Sequence, residues 1–142
     1  MKRFIGGLTA CGLVVTLAGA AAASTPQTRV QHLGAETRTL EGRLMRGDLE
    51  SVGGAFLDCY SFDVRAGQTV SVGMFSGDFD AFLVLYEDGA CENAIANDDD
   101  SLGGTDPTIT HAVSRSGRYS IAATSSFFDE GVGLYGLALI IE

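Results

Sequence analysis

The chain has 142 residues and a formal net charge of −9 at pH 7, with 46% hydrophobic residues. This length suits one compact domain, and the acidic balance argues against binding nucleic acid or an anionic membrane surface, since both targets attract a basic patch. It favours solubility and, where carboxylates converge, a hard cation.

The first 23 residues are typical of a secretory signal peptide. Lys2 and Arg3 precede an uncharged apolar stretch, and the small residues of Ala21–Ala23 fit a cleavage site before Ser24. A membrane anchor is one alternative, which the small residues at the C-terminal end of the stretch disfavour. A lipoprotein signal ending at Cys11 is another, which the short run before that cysteine disfavours. Removing the two basic residues changes the net charge from −9 to −11. We expect an exported chain, periplasmic or extracellular, with no membrane span after cleavage.

Residues 24–38 form a polar leader without a sustained period, and residues 39–142 are expected to form one domain. About eight strands are predicted there from runs in which apolar and polar residues alternate. Their bounds are Thr39–Met45, Phe56–Val64, Thr69–Phe75, Phe79–Tyr86, Ala94–Asn97, Thr108–Val113, Arg118–Thr124 and Leu134–Ile141.

The spacing of these strands predicts the fold class. The glycine turn at Ala66–Gln68 makes the second and third strands a predicted β-hairpin. The strand at Phe79–Tyr86 is apolar on both faces and is expected to lie centrally in its sheet. Short strands without a helical segment predict an all-β antiparallel sandwich, jelly-roll-like in topology.

Five short motifs follow one another along these strands. They are Gly67–Gln68, Phe79–Leu85, Asn97–Asp99, Ser116–Ile121 and Gly133–Leu137. In this order they resemble the bacterial pre-peptidase C-terminal (PPC) domain family over residues 40–141. The resemblance implies a non-catalytic β-sandwich that usually follows the catalytic domain of secreted proteases and other exported hydrolases. Some members bind calcium, matrix protein or polysaccharide.

The acidic loop at residues 98–107 is the candidate metal site. Ca²⁺ takes six to eight oxygen ligands from a loop that can wrap it, and Gly103–Gly104 would give this loop freedom. The spacing does not fit an EF-hand, and the alternative is a solvated turn whose aspartates bond their own backbone. The resemblance favours Asp98 and Asp99. The predicted Ca²⁺ ligands are Asp80, Asp98, Asp99, Asp100 and Asp106.

Cys59 and Cys91 remain after signal cleavage. In an exported protein an even pair predicts a disulfide, the alternative being two free thiols. The two cysteines and the two histidines, His32 and His111, lack the close ligand pairs of a zinc site.

Catalysis is not expected. No nucleophile motif accompanies either histidine, and we interpret His111 as a partly buried strand residue. The aromatic residues Phe127, Phe128 and Tyr86 form a candidate binding surface. The alternative for the phenylalanine pair is a plug at the end of the sandwich core.

These observations predict an exported, non-catalytic binding or accessory module that contacts an envelope or extracellular polymer or a partner protein. The alternative is a calcium-tuned structural or secretion-assisting module for a separately encoded secreted hydrolase. The sequence names neither the ligand nor the oligomeric state.

Overall fold

The computed structural model describes residues 25–126 and 131–142. The predicted signal peptide and the pair Phe127 and Phe128 lie outside them. The described residues contain no helix that could cross a membrane. They form ten strands: β1 Gln31–His32, β2 Arg38–Leu44, β3 Leu49–Glu50, β4 Phe56–Val64, β5 Thr69–Phe75, β6 Ala81–Tyr86, β7 Ala94–Asp98, β8 Thr108–Ala112, β9 Gly117–Ser125 and β10 Gly133–Ile141.

The strands form two sheets that pack face to face. Sheet A has the order β1-β4-β9-β6-β7, with β3 also paired to β4, and sheet B has the order β2-β10-β5-β8. Every pair is antiparallel except β1 with β4. The predicted all-β antiparallel sandwich is therefore confirmed.

The core lies between the two sheets and contains the apolar residues that alternate along each strand. On β4 the inward row includes Tyr60, Phe62 and Val64, as the alternation predicts. The largest fully buried side chains of the core are Phe62, Leu83, Leu85 and Ile121 from sheet A and Leu44, Val70, Val72, Met74, Leu137 and Leu139 from sheet B.

The predicted hairpin between Phe56–Val64 and Thr69–Phe75 is wrong, although both strands have the predicted bounds. β4 pairs with β9 in sheet A, whereas β5 pairs with β10 and β8 in sheet B. The turn between them, with Gly67 at φ +90°, carries the chain across the core. Alternation determines which face of a strand is buried. It does not determine which strand lies beside it.

The polar leader is ordered where it meets β4. His32 on β1 aligns with Ser61, and its ring Nδ1 lies 3.0 Å from the Ser61 hydroxyl. The Gln27 side chain accepts the Cys59 N–H at 2.6 Å. Neither β1 nor β3 was predicted, because a strand of two residues shows no alternation.

Candidate functional site

The Cys59–Cys91 disulfide is formed, as predicted, and joins Cα atoms 6.2 Å apart. Cys59 lies on the outward row of β4, away from the core, and Cys91 lies in the turn between β6 and β7. Since β9 lies between β4 and β6, the turn must fold back over the outer face of sheet A to reach Cys59.

Hydrogen bonds hold this folded turn in place. The fully buried Ser120 hydroxyl accepts the Cys91 N–H at 2.9 Å and donates to the Asp88 carbonyl at 2.7 Å. The Asp88 carboxylate accepts backbone N–H groups of Ala90 and Asn93. Burial opposes ionisation of Asp88, but these backbone bonds outweigh it and lower its pKa.

Beside the turn, the outer face of sheet A forms an apolar groove of about 340 Å³. The strand register places Phe82 beside Thr124 and Val84 beside Ala122 along its floor. None of the described residues that line the groove is charged. They are Ser51, Val52, Leu57, Phe82, Val84, Tyr86, Ala94, Asn97, Ala122, Thr124 and Ser125.

Tyr86 is the predicted binding-surface residue that falls in this groove. Partial burial, and then the charge of Asp88, raise the pKa of its hydroxyl. Tyr86 therefore presents a neutral ring and hydroxyl at neutral pH. The prediction that Phe127 and Phe128 contribute to a binding surface concerns residues outside those described.

A second apolar area lies on the outer face of sheet B. Phe75 is 57% exposed there, and Leu134 and Ile140 on β10 are also exposed. Phe75 lies across Gly136, whose register partner it is. This area is flanked by the charged β2 residues Glu41 and Arg43, unlike the uncharged groove on sheet A.

The Asp98 carboxylate accepts hydrogen bonds from residues within and next to the acidic loop. It accepts the N–H of Thr108 at 2.8 Å, the N–H of Ser101 at 3.1 Å and the Ser101 hydroxyl. Burial opposes ionisation of Asp98, but these bonds outweigh it and lower its pKa.

The structure brings Asp80 towards the acidic loop. Burial, and then the charges of Asp80, Asp100 and Asp98, raise the pKa of Asp99. Asp106 contributes its backbone carbonyl, which accepts the Leu102 N–H at 3.0 Å. Over residues 25–126 and 131–142, no three His, Cys, Asp or Glu side chains lie close enough together to hold a metal ion.

Asp58, Tyr60 and Tyr135 form a buried hydrogen-bonded cluster inside the sandwich, near its β2 edge. Asp58 on β4 is 3% exposed, and one of its carboxylate oxygens accepts the Tyr135 hydroxyl. The Tyr60 and Tyr135 hydroxyl oxygens lie 2.6 Å apart. The second Asp58 oxygen, Oδ1, has no hydrogen-bond partner among the described residues.

The surroundings of Asp58 explain its ionisation. Burial raises its pKa from 3.8 to about 7, opposed by the Tyr135 hydrogen bond and reinforced by the charge of Asp48. Burial likewise raises the pKa of both tyrosines, which stay protonated. This cluster was not predicted from the sequence, although Asp58 stands two residues before Tyr60 and so belongs to the same inward row.

The sequence model of the family described as "Bacterial pre-peptidase C-terminal domain" matches residues 57–125, from β4 to the end of β9. The resemblance to the PPC family therefore holds over this part of the chain. The prediction made from the five motifs is confirmed, and the PPC match includes the disulfide and most of the groove. No curated protein matches the sequence.

Solved structures share the sandwich at low sequence identity. The PPC domain of collagenase from Bacillus anthracis has a TM-score of 0.59 and 19% identity, covering 84% of this chain and 100% of that chain. Aeromonas hydrophila PliG, a periplasmic lysozyme inhibitor of g-type lysozyme, has a TM-score of 0.59 and 21% identity, covering 80% and 98%. A mutant of the Escherichia coli PliG has a TM-score of 0.55 and 16% identity, covering 83% and 100%.

Proposed function

We propose that this chain is an exported, non-catalytic binding module that contacts a partner protein through the groove on the outer face of sheet A. The apolar, uncharged lining of the groove carries this proposal. Phe82, Val84 and Tyr86 offer ring and methyl surface to apolar side chains of a partner.

The chemistry of the groove favours a protein over a polysaccharide. A polysaccharide presents many hydroxyl groups, which need hydrogen-bonding side chains, and only a few short polar side chains line the groove. The structures with the same fold include a lysozyme inhibitor, a protein whose described target is itself a protein.

Export is supported by two independent features. The first 23 residues have the arrangement typical of a signal peptide: basic residues, then an apolar stretch, then small residues. The Cys59–Cys91 bridge is of a kind that persists in oxidising compartments and is rare in the cytosol.

The test compares two variants that add the same charge to opposite faces. Val84→Lys places an ammonium in the groove, and Phe75→Lys places one on the outer face of sheet B. The immobilised protein is exposed to envelope and secreted fractions and, separately, to a g-type lysozyme whose activity is followed. We expect one protein to be retained by the wild type and Phe75→Lys and lost by Val84→Lys.

Thermal unfolding of both variants checks that they remain folded. Equal retention by all three proteins would contradict the groove as the contact surface. Retention of a polysaccharide instead of a protein would contradict the partner class.

A second candidate is the calcium-tuned structural module, favoured by the mutual charge of Asp80 and Asp98–Asp100. We propose that Ca²⁺ offsets this repulsion in the folded state. A ligand at a hundredfold excess over its Kd adds about 2.7 kcal/mol to the free energy of unfolding. The midpoint of thermal unfolding should therefore rise by several degrees in Ca²⁺ and not in Mg²⁺.

Asp99→Asn should abolish the calcium response, whereas Asp63→Asn, on the outer face of β4, should keep it. A response that is equal in both variants, or no response in the wild type, would contradict a calcium site in this loop.

A further inference from the structure

We propose that a cleft between β2, β4 and residues 25–31 binds the cationic tip of a basic side chain, with Asp58 as its acceptor. The ligand class is a guanidinium or a primary ammonium. The inference rests on the proposed function in one respect only, because the partner protein is what would supply the side chain.

The cleft lies at the edge of the sandwich where β2 of sheet B approaches β4 of sheet A. Its volume is about 320 Å³, which accommodates the end of one long side chain. Polar groups and carboxylates make up much of its lining. The lining residues are Thr25, Pro26, Gln27, Gln31, Leu40, Glu41, Gly42, Arg43, Asp58 and Tyr60.

The hydrogen bonds inside the cleft leave one strong acceptor unused. The Tyr135 hydroxyl donates to Asp58 Oδ2, so the Tyr60 hydroxyl must donate to the Tyr135 oxygen 2.6 Å away. The Tyr60 hydroxyl thus acts on Asp58 Oδ2 only through the Tyr135 hydroxyl. Asp58 Oδ1 is left without a donor among the described residues, in a side chain that lines the cleft.

This cluster depends on Gly42, which lies opposite Tyr135 in the β2–β10 register. A Cβ atom at Gly42 would overlap the Tyr135 ring and hydroxyl. The absence of a side chain on β2 therefore lets Tyr135 reach Asp58. Tyr135, which is itself hydrogen-bonded to Tyr60, orients the Asp58 carboxylate and so fixes the direction of its free lone pairs.

An organic cation suits this acceptor better than a divalent metal ion. Ca²⁺ and Mg²⁺ need about six oxygen ligands. Asp48, whose charge acts on Asp58, already uses both of its oxygens to accept the N–H groups of Gln27 and Met45, each at 2.6 Å. An ammonium or guanidinium needs only N–H to oxygen contacts and tolerates an aromatic neighbour such as Tyr60.

The remaining charges around the cleft nearly cancel at its rim, where Glu41 and Arg43 both line it. The carboxylate of Asp58 in the lining, together with the nearby charge of Asp48, then makes this part of the cleft acidic. Cation binding requires ionised Asp58, so we expect the affinity to fall as the pH is lowered below 7.

The experiment titrates the purified full-length exported protein with methylguanidinium and, as a neutral molecule of the same shape, N-methylurea. NMR signals of the Tyr60 and Tyr135 rings report occupancy. We expect saturable shifts with methylguanidinium, none with N-methylurea, and at least about tenfold weaker binding in Asp58→Asn. Asp63→Asn, which changes a carboxylate on the outward row of the same strand, should bind as the wild type does.

Three outcomes would overturn the proposal: equal binding of methylguanidinium and N-methylurea, unchanged binding by Asp58→Asn, or displacement of methylguanidinium by Ca²⁺ at lower concentration. The comparison of the two small molecules uses the wild type, so it holds even where Asp58→Asn does not fold. Partner retention is measured separately. A normal methylguanidinium response without any retained protein would remove the proposed partner and leave the cation cleft.

Discussion

The Asp58 carboxyl group binds its proton more tightly in the folded protein than in the unfolded chain. Its pKa is about 7 in the fold against 3.8 in the absence of burial. Between these two values the folded state binds more protons than the unfolded state, so the free energy of unfolding falls as the pH rises. The stabilising contribution is fully present below about pH 4 and is lost as the pH passes through 7.

We predict that Asp58→Asn removes this pH dependence. The shift from 3.8 to about 7 corresponds to about 4 kcal/mol between the two limits. Urea unfolding at pH 4.5 and at pH 8 gives the change in the free energy of unfolding with pH for the wild type and for the variant, and the difference between these two changes is the contribution of Asp58. Equal changes in the two proteins would show that Asp58 has an ordinary pKa in the fold.

At the scale of the element, the turn between β6 and β7 is held to the sheet by one covalent bond and two hydrogen bonds. The disulfide joins it to β4, and Ser120 on β9 holds the backbone of Asp88 and Cys91. Cys91 and Tyr86 pack in one cluster with Leu57. Through Cys91, the turn therefore belongs to the same apolar cluster as two residues that line the groove, Leu57 and Tyr86.

We predict that replacing both cysteines with alanine lowers the free energy of unfolding by about 3–4 kcal/mol, the chain-entropy value for a loop of about this length. The bridged residues are 32 apart. Chemical denaturation of the oxidised protein and of the double variant measures the difference. Non-reducing mass spectrometry checks the bridge, because two alkylated cysteines in the mature wild-type protein would contradict it.

At the scale of the whole molecule, alternation allowed the bounds of the long strands and the sandwich class to be predicted. Phe56–Val64 and Thr69–Phe75 agree with β4 and β5 at both ends. The pairing of strands could not be predicted, since β4 meets β9 across more than fifty residues of chain. β1 could not be predicted, because its position depends on backbone hydrogen bonds to β4 and its two residues show no pattern of their own.

The candidate sites show the same limit. The outward position of Tyr86 follows from the alternation of β6, and the pairing of Cys59 with Cys91 follows from the cysteine count. The folding of the turn over sheet A depends on Ser120, which is distant in sequence. The pKa of Asp58 is raised by burial between the sheets, a consequence of the complete fold, in which it also meets Tyr135, 77 residues later in the chain.

The position of β9 between β4 and β6 has a consequence for how the protein reaches its native state. Both neighbours of β9 are synthesised before it, and both keep an unpaired edge until β9 pairs with them. Pairing that spans so many residues is slow to form, because the chain must close long loops first. Sheet A therefore cannot be completed until β9, in the last quarter of the chain, is available, and the exposed edges of β4 and β6 are where a chaperone would protect the polypeptide before it folds.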